Sequence, residues 1–329
     1  MSEISSSFYS NPAQPATRFI PSSIHVILNP TSGRGTGQKK EHQIQQLLDF
    51  GAKLLGADEI KLKVVLHKTT CSGDGERIVS ELKFDPLEEP TALIVAAGGD
   101  GTLHEVIAGL NGREIPLGII PVGTGNDFIR SVGIAQDLEV AVHTLFNGTL
   151  QTVDVGLVNG LPFINVAGSG FDAAVAKRIN DGFRTLRGTA AYNAAVISTL
   201  FQFRPAETTV TVDGKVWKGK TLLCSVANAK CYGGGMLIAP NAEIDDGLLD
   251  VVILADASKW EFLLSYPKVF KGTHIHHPKV TMLRGRNIRV ESDPPQPIFV
   301  DGEVIGSTPA EYSILPGALR VVVPIAGPK

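Results

Sequence analysis

The apolar run Leu93-Ile94-Val95-Ala96-Ala97 enters Gly98-Gly99-Asp100-Gly101-Thr102 without a polar spacer, and Leu103, Val106, Ile107 and Leu110 follow at helical spacing. A buried strand that turns directly into a helix needs a crossover to its next neighbour. That restricts the region to an α/β sheet with parallel strands. Three glycines leave the turn's backbone bare enough to approach a phosphate, and the helix it opens directs N–H groups at an anion. Asp100 is placed to hold a cation beside that phosphate. On the residues alone the same turn also serves as a helix cap, through Asp100 or Thr102.

The pattern recurs. Ile24 to Leu28 reads as a buried strand that ends at Asn29-Pro30, followed by a glycine-rich loop through Gly37 and a helix over Gln38 to Leu55. Ile60 to Leu66 is a second strand, with a helix around Asp74 to Lys83. Leu117 to Ile120 is a fourth strand entering the turn Gly123-Thr124-Gly125, and helical spacing resumes over Asp137 to Phe146. In an open parallel sheet ligands bind outside the carboxyl ends of the strands, so both glycine turns belong on one edge. From about Thr152 the character changes to short strands with hairpin signals at Asn159-Gly160 and Asp213-Gly214. Helices are expected near Ala173 to Ile179, Thr189 to Phe203 and Lys259 to Phe270. The expected class is α/β, with a parallel-sheet nucleotide-binding domain over 22–150 and a β-rich antiparallel sandwich over 151–314. Residues 315–329 are candidates to return to the first domain, and 1–21 reads as a disordered tail.

Composition narrows the partners. A formal net charge of −3 over 329 residues gives no global footprint for nucleic acid. Three cysteines at wide spacing argue against a disulfide framework or a closed zinc site and favour a reducing, cytoplasmic compartment. Met1 to Pro21 lacks the apolar segment of a secretory signal, and Ser2 and the final Ala-Gly-Pro-Lys exclude myristoylation and prenylation. The most apolar helical run, Ala190 to Phe203, is shorter than the ~20 residues of a membrane span. Phe183, Leu186, Tyr192, Val196, Leu200 and Phe201 with Arg184, Arg187 and Arg204 read as a core-facing stripe with a basic edge, or as an interfacial surface. His274, His276 and His277 read as loop residues.

Two rival nucleotide signatures fail. Gln38 stands where a P-loop and a dinucleotide fingerprint each need glycine in the Gly33 to Lys39 stretch. What remains is a resemblance. Asn29-Pro30-Thr31-Ser32-Gly33, Gly98 through Val106, and Pro121-Val122-Gly123-Thr124-Gly125-Asn126-Asp127-Phe128 are similar to the diacylglycerol kinase catalytic family. That family includes bacterial lipid kinases and the sphingosine and ceramide kinases. Val153-Asp154-Val155-Gly156, Asn165 through Asp172, Asp245-Asp246-Gly247-Leu248 and Val300-Asp301-Gly302-Glu303 continue the similarity in order over about residues 24–325.

The resemblance implies an NAD kinase/phosphofructokinase-like first domain, ATP and Mg2+ as cofactors, and a lipid acceptor. Diacylglycerol is the first choice; a sphingoid base, ceramide, NAD, or a non-catalytic regulatory role are the alternatives. Asn29, Thr69, Gly98, Gly99, Asp100, Gly101, Thr102, Leu103, His104, Gly123, Thr124 and Asn126 would contact the nucleotide. Asp100 would join the metal network, and Glu303 would be the general base. Asp246, with the carbonyls of Glu243 and Leu248, would hold a structural Mg2+. Without the resemblance, Asp301-Gly302-Glu303 is a hairpin tip and Asp245-Asp246-Gly247 an ordinary turn. Transient peripheral membrane contact is expected, and a homodimer is allowed.

Overall fold

The computed structural model describes residues 17–56, 62–85, 87–181 and 189–325. Four parallel strands, β1 (Ser23–Leu28), β2 (Lys63–Lys68), β3 (Ala92–Gly98) and β4 (Leu117–Pro121), lie in the order β2-β1-β3-β4. Helices α1 (Ser32–Gly56), α2 (Asp74–Glu81), α3 (Asp100–Leu110), α4 (Asp127–Ser131) and α5 (Leu138–Asn147) cover both faces. Every residue of β3 is buried because its alternating side chains serve two cores. Ile94 and Ala96 pack with Val106 and Ile107 of α3. Leu93, Val95 and Ala97 pack with Ile44 and Leu48 of α1 and Val142 and Leu145 of α5. Each large aliphatic side chain so buried contributes about 1.5–3 kcal/mol, which is why the run lacks polar residues.

The second half is antiparallel: β5 (Thr149–Val158), β6 (Leu161–Phe163), β7 (Val166–Gly170), β8 (Ala206–Val212), β9 (Lys215–Ala227), β10 (Leu249–Ala255), β11 (Val280–Gly285), β12 (Asn287–Asp293), β13 (Pro297–Val300), β14 (Glu303–Ser307) and β15 (Ala310–Val323). Helices α6 (Phe171–Asp181), α7 (Thr189–Gln202) and α8 (Lys259–Val269) pack against it. Asn159-Gly160, Asp213-Gly214 and Asp301-Gly302 each place two consecutive residues at positive φ, the two-residue hairpin geometry. β15 joins the halves. It pairs antiparallel with β12 and β5, and Val321 bridges in parallel to Leu117 of β4.

The structure departs from the sequence reading in several places, among them helix α4, which lies before the helical spacing expected from Asp137. The glycine-rich stretch after β1 is already the start of α1, although Gly33 (φ 58°) and Gly35 (φ 85°) are left-handed. β11 and β14 were not expected: β11 has no clean alternation, and β14 carries Gly306 and exposed ends. Of the expected tail, residues 1–16 lie outside the described ones. From Thr17 onward it is fastened, because Arg18 bridges to Thr149 and its Nε donates to Phe146 O at 2.9 Å. In the apolar stripe, Val196 and Leu200 are core residues while Phe201 is exposed. Phe183, Arg184, Leu186 and Arg187 lie outside the described residues.

Candidate active site

The two glycine turns meet backbone to backbone. Gly123 N and Val122 N both donate to Gly98 O, at 3.0 and 2.9 Å. A Cβ on Gly123 would stand 2.4 Å from Gly99 Cα, so no side chain fits there. Asn126, left-handed at φ 50°, donates from Nδ2 to Gly123 O and holds the second turn shut. Thr124 is exposed at its tip.

Asn29 Nδ2 donates to Thr102 Oγ1 at 3.1 Å, joining the end of β1 to the first turn of α3. Beside this bond lies a cleft of about 230 Å3 lined by Asn29, Thr69, Thr70, Gly101, Thr102 and Glu105, among others. Five of the residues named from sequence thus share one region: Asn29, Thr69 and Thr102 on the cleft, with Gly101 in its wall and Gly98 beneath Thr102. Leu103 is different. It faces the core, and its N–H donates to Gly99 O, so it offers neither group to the cleft.

Behind the turns lies a pair of carboxylates. Asp100 Oδ1 accepts from Asp127 N at 2.9 Å, and Asp127 Oδ2 accepts from Gly234 N at 2.8 Å. Burial, together with the Asp127 charge, pushes the Asp100 carboxyl up to about 6. Burial also raises Asp127. Asp127 Oδ1 is buried with no hydrogen-bond donor; the nearest cation, Arg130 Nε, is 3.9 Å away. A half-buried carboxylate, Asp100, beside a buried one, Asp127, with a vacant acceptor suits a cation, and a hard oxygen-liganded ion such as Mg2+ fits that donor set.

The β-rich half closes on α3 here. Asp301, φ 43°, accepts from the backbone N–H groups of Ile164, Asn165 and Val166 at 3.0, 3.0 and 3.1 Å. His104 Nδ1 of α3 lies 3.7 Å from Asp301 Oδ2. The Asp301 carboxylate holds that imidazole above its ordinary value, and the charge of Glu303 adds to the effect. Glu303 is exposed and opens β14 directly after this turn. The hairpin tip therefore faces the glycine turn across a gap bridged by His104.

The predicted structural metal set is arranged otherwise. Asp246 Oδ1 accepts from Leu248 N at 3.0 Å, and Oδ2 is engaged by Arg284, whose Nε also reaches Asp250 Oδ1 at 3.2 Å. Both oxygens of the one carboxylate in the set are occupied, and a guanidinium supplies the positive charge. In this arrangement Asp246 is held in an ion pair with Arg284 and a turn hydrogen bond to Leu248 N. Among the described residues no cluster of three His, Cys, Asp or Glu side chains has metal-ligating geometry. His274, read as a loop residue, is buried in a short 3-10 turn and shares a hydrogen bond with Ile238 O at 3.0 Å.

A model of the diacylglycerol kinase catalytic domain matches residues 23–158, and one of the YegS C-terminal NAD kinase beta sandwich-like domain matches residues 165–323. The diacylglycerol kinase of Bacillus subtilis (strain 168) is 33% identical over 302 residues, covering 91% of this chain and 95% of its own. The chain belongs to the diacylglycerol kinase family. It is a lipid kinase. The diacylglycerol kinase of Mycobacterium tuberculosis (strain H37Rv) is 32% identical over 315 residues, 92% of this chain and 96% of its own. A Bacillus anthracis (strain Sterne) diacylglycerol kinase crystal structure superposes with a TM-score of 0.69 at 23% identity, over 92% of this chain and 97% of that one, and shows the same fold.

Within this lipid kinase, sequence reasoning left out Asp127, Glu105 and Asp301 as site residues. All three stood inside recognised motifs. Asp127 and Asp301 act on groups far away in sequence, which no local pattern reveals. Glu105 accepts from Gly73 N and Gly75 N, both at 2.9 Å, and so fixes the start of α2 at the rim of the cleft.

Proposed function

We propose that this lipid kinase transfers the γ-phosphoryl group of ATP to the hydroxyl of diacylglycerol, giving phosphatidic acid and ADP. The observation that carries the reading is the approach of the Asp301-Gly302-Glu303 tip to α3 at the glycine turn, with His104 between. Asn29, Thr69 and Thr102 bind the nucleotide in the cleft, and bare backbone at Gly98 to Gly101 accommodates its phosphates. Asp100 and Asp127 would hold Mg2+, which when bound neutralises phosphate charge. Glu303 takes the proton from the acceptor hydroxyl as its oxygen bonds to phosphorus and the bond to the ADP oxygen breaks. His104, whose imidazole Asp301 holds above its ordinary value, is placed to donate to negative charge on the transferring group.

An apolar cavity of about 70 Å3 among α6, α7, α8 and the sheet favours a lipid acceptor over NAD. Phe171, Leu223, Met236, Val252 and Phe262 are among its walls. The segment that carries Tyr232 and Met236 into this cavity also supplies Gly234 N to Asp127, which ties cavity to site. The test is transfer of labelled γ-phosphate from ATP with Mg2+ to a panel of diacylglycerol, monoacylglycerol, sphingosine, ceramide and NAD. Labelled phosphatidic acid is the expected product. Preferred phosphorylation of sphingosine, ceramide or NAD would overturn the substrate assignment, and ATP binding without turnover would favour a regulatory role.

A further inference from the structure

Helix α8 is apolar on both sides. Its inner side carries Phe262 and Val269, with Tyr266 stacked on Phe262 at 5.9 Å between ring centroids. Its outer side carries Trp260 and Leu264, one turn apart and 72% and 75% exposed. Helix α7 repeats the arrangement, with Val196 and Leu200 buried and Ile197 and Phe201 exposed. Lys259 joins the two helices. Its Nζ donates to Phe201 O at 2.7 Å and sits 5.0 Å from the centre of the Phe201 ring. Lys259 thus brings exposed Phe201 beside the start of α8, where Trp260 stands exposed.

Lysines border these exposed apolar side chains. Lys259, Lys268 and Lys271 are exposed along α8 and the turn after it. The one acidic residue of the helix, Glu261, is already bound to Lys279 at 2.9 Å and to Ser258 N at 2.7 Å. Asp256 is exposed just ahead of the helix, leaving the border net positive. Exposed tryptophan and leucine beside uncompensated lysines match the boundary of an anionic bilayer, where the rings enter the acyl region and the ammonium groups meet headgroup phosphates. The inner side of the same two helices lines the apolar cavity through Val196, Phe262 and Tyr266.

We infer that the outer face of α7 and α8, with Ile197, Phe201, Trp260 and Leu264 as its apolar contacts, docks this enzyme on anionic lipid bilayers, directly over the apolar cavity. The inference rests on the acceptor being a membrane lipid. The experiment uses the full chain carrying Trp217→Phe, so that Trp260 is the sole tryptophan. It is sedimented with vesicles of equal parts phosphatidylglycerol and phosphatidylcholine, and with phosphatidylcholine alone. Binding to the anionic vesicles with a blue shift of Trp260 emission is expected. Leu264→Glu, and separately the pair Lys268→Glu and Lys271→Glu, should each weaken that binding at least about tenfold. Both variants should keep wild-type turnover on short-chain diacylglycerol dispersed in detergent, which shows that they are folded and active. If the parent binds no vesicles, or the variants bind as the parent does, the docking surface is wrong while detergent activity still upholds the kinase reading. Self-association in solution that Leu264→Glu abolishes, without vesicle binding, would assign the face to a second copy of the chain and overturn the proposal.

Discussion

Replacing Gly123 with alanine would set a Cβ 2.4 Å from Gly99 Cα and 2.8 Å from Asn126 Oδ1. Non-bonded carbons pack at about 3.5–4.0 Å, so the two turns must part by about 1 Å. Neither neighbour yields easily. Gly99 is the N-cap of α3, and Asn126 is held to Gly123 O at 2.9 Å. Overpacking of this kind costs about 1–3 kcal/mol. A shift of about 1 Å at the phosphate-binding backbone costs about a hundredfold in rate. Gly101 stands two residues along in the same motif as Gly99, yet a Cβ there meets nothing within 4 Å. In the first turn of α3 alanine is the better helix former by up to about 1 kcal/mol, so Gly101→Ala should hold or raise stability. Gly101 lines the cleft, however, so its new methyl group should raise KM for the nucleotide. Urea unfolding followed by circular dichroism, with steady-state kinetics on each variant, separates the two glycines. A Gly123→Ala protein with wild-type urea midpoint and wild-type kcat/KM would refute the close-approach argument. So would a Gly101→Ala protein destabilised as much as Gly123→Ala.

Glu303→Gln keeps the shape of the side chain and removes its basicity, so kcat should fall about 100- to 10,000-fold with KM for ATP nearly unchanged; wild-type kcat would remove Glu303 from proton transfer. Asp301→Asn keeps a residue that tolerates φ 43° but turns one acceptor toward the Ile164–Val166 N–H groups into a donor. It should cost about 1–3 kcal/mol in urea unfolding, and an unchanged midpoint would count against the clamp. Acid should weaken the fold through His25 and His67, whose ring nitrogens meet at 3.2 Å while His25 Nε2 faces Glu89 Oε2 at 3.1 Å. Burial holds both imidazoles below their ordinary value, so the unfolded chain takes up protons at about pH 6.5 that the folded chain refuses. Stability is complete above that pH and declines as pH falls toward the folded values, by at most about 1.4 kcal/mol per pH unit per histidine. His67→Gln keeps a donor for His25 and should flatten the decline in urea midpoint between about pH 7.5 and 5.5; an equally steep decline in that variant would argue against the pair.

The α/β half was legible because β1, β3 and β4 are short, mostly apolar runs, broken in β1 only by His25 and punctuated by Asn-Pro or glycine. Ile24 to Leu28 and Leu93 to Ala97 cannot be read as amphipathic strands, and the helices that follow have clear periodicity. Asn159-Gly160 and Asp213-Gly214 likewise announced hairpins that the structure contains. β14 was hidden because its inward residues are few, and the start of α1 because glycines mask helical spacing. At the site, sequence pointed to Asn29, Thr69 and Thr102, which the fold does gather. It did not show Arg284 beside Asp246, or Asp127 behind Asp100, because these pairings depend on register between distant strands and turns.

β15 sits between β12 and β4, with β5 alongside. During synthesis, β4 and β5 are complete by residue 158, but their partner is made only between residues 310 and 323. At about 5–20 residues per second the growing chain carries that unpaired edge for on the order of ten to thirty seconds. The exposed strands are Val-, Ile- and Leu-rich, the kind of edge that captures other nascent chains. A ribosome stalled before codon 310 would therefore release not a shortened enzyme but two sheets with no common strand, and quality control rather than catalysis would decide the fate of that product.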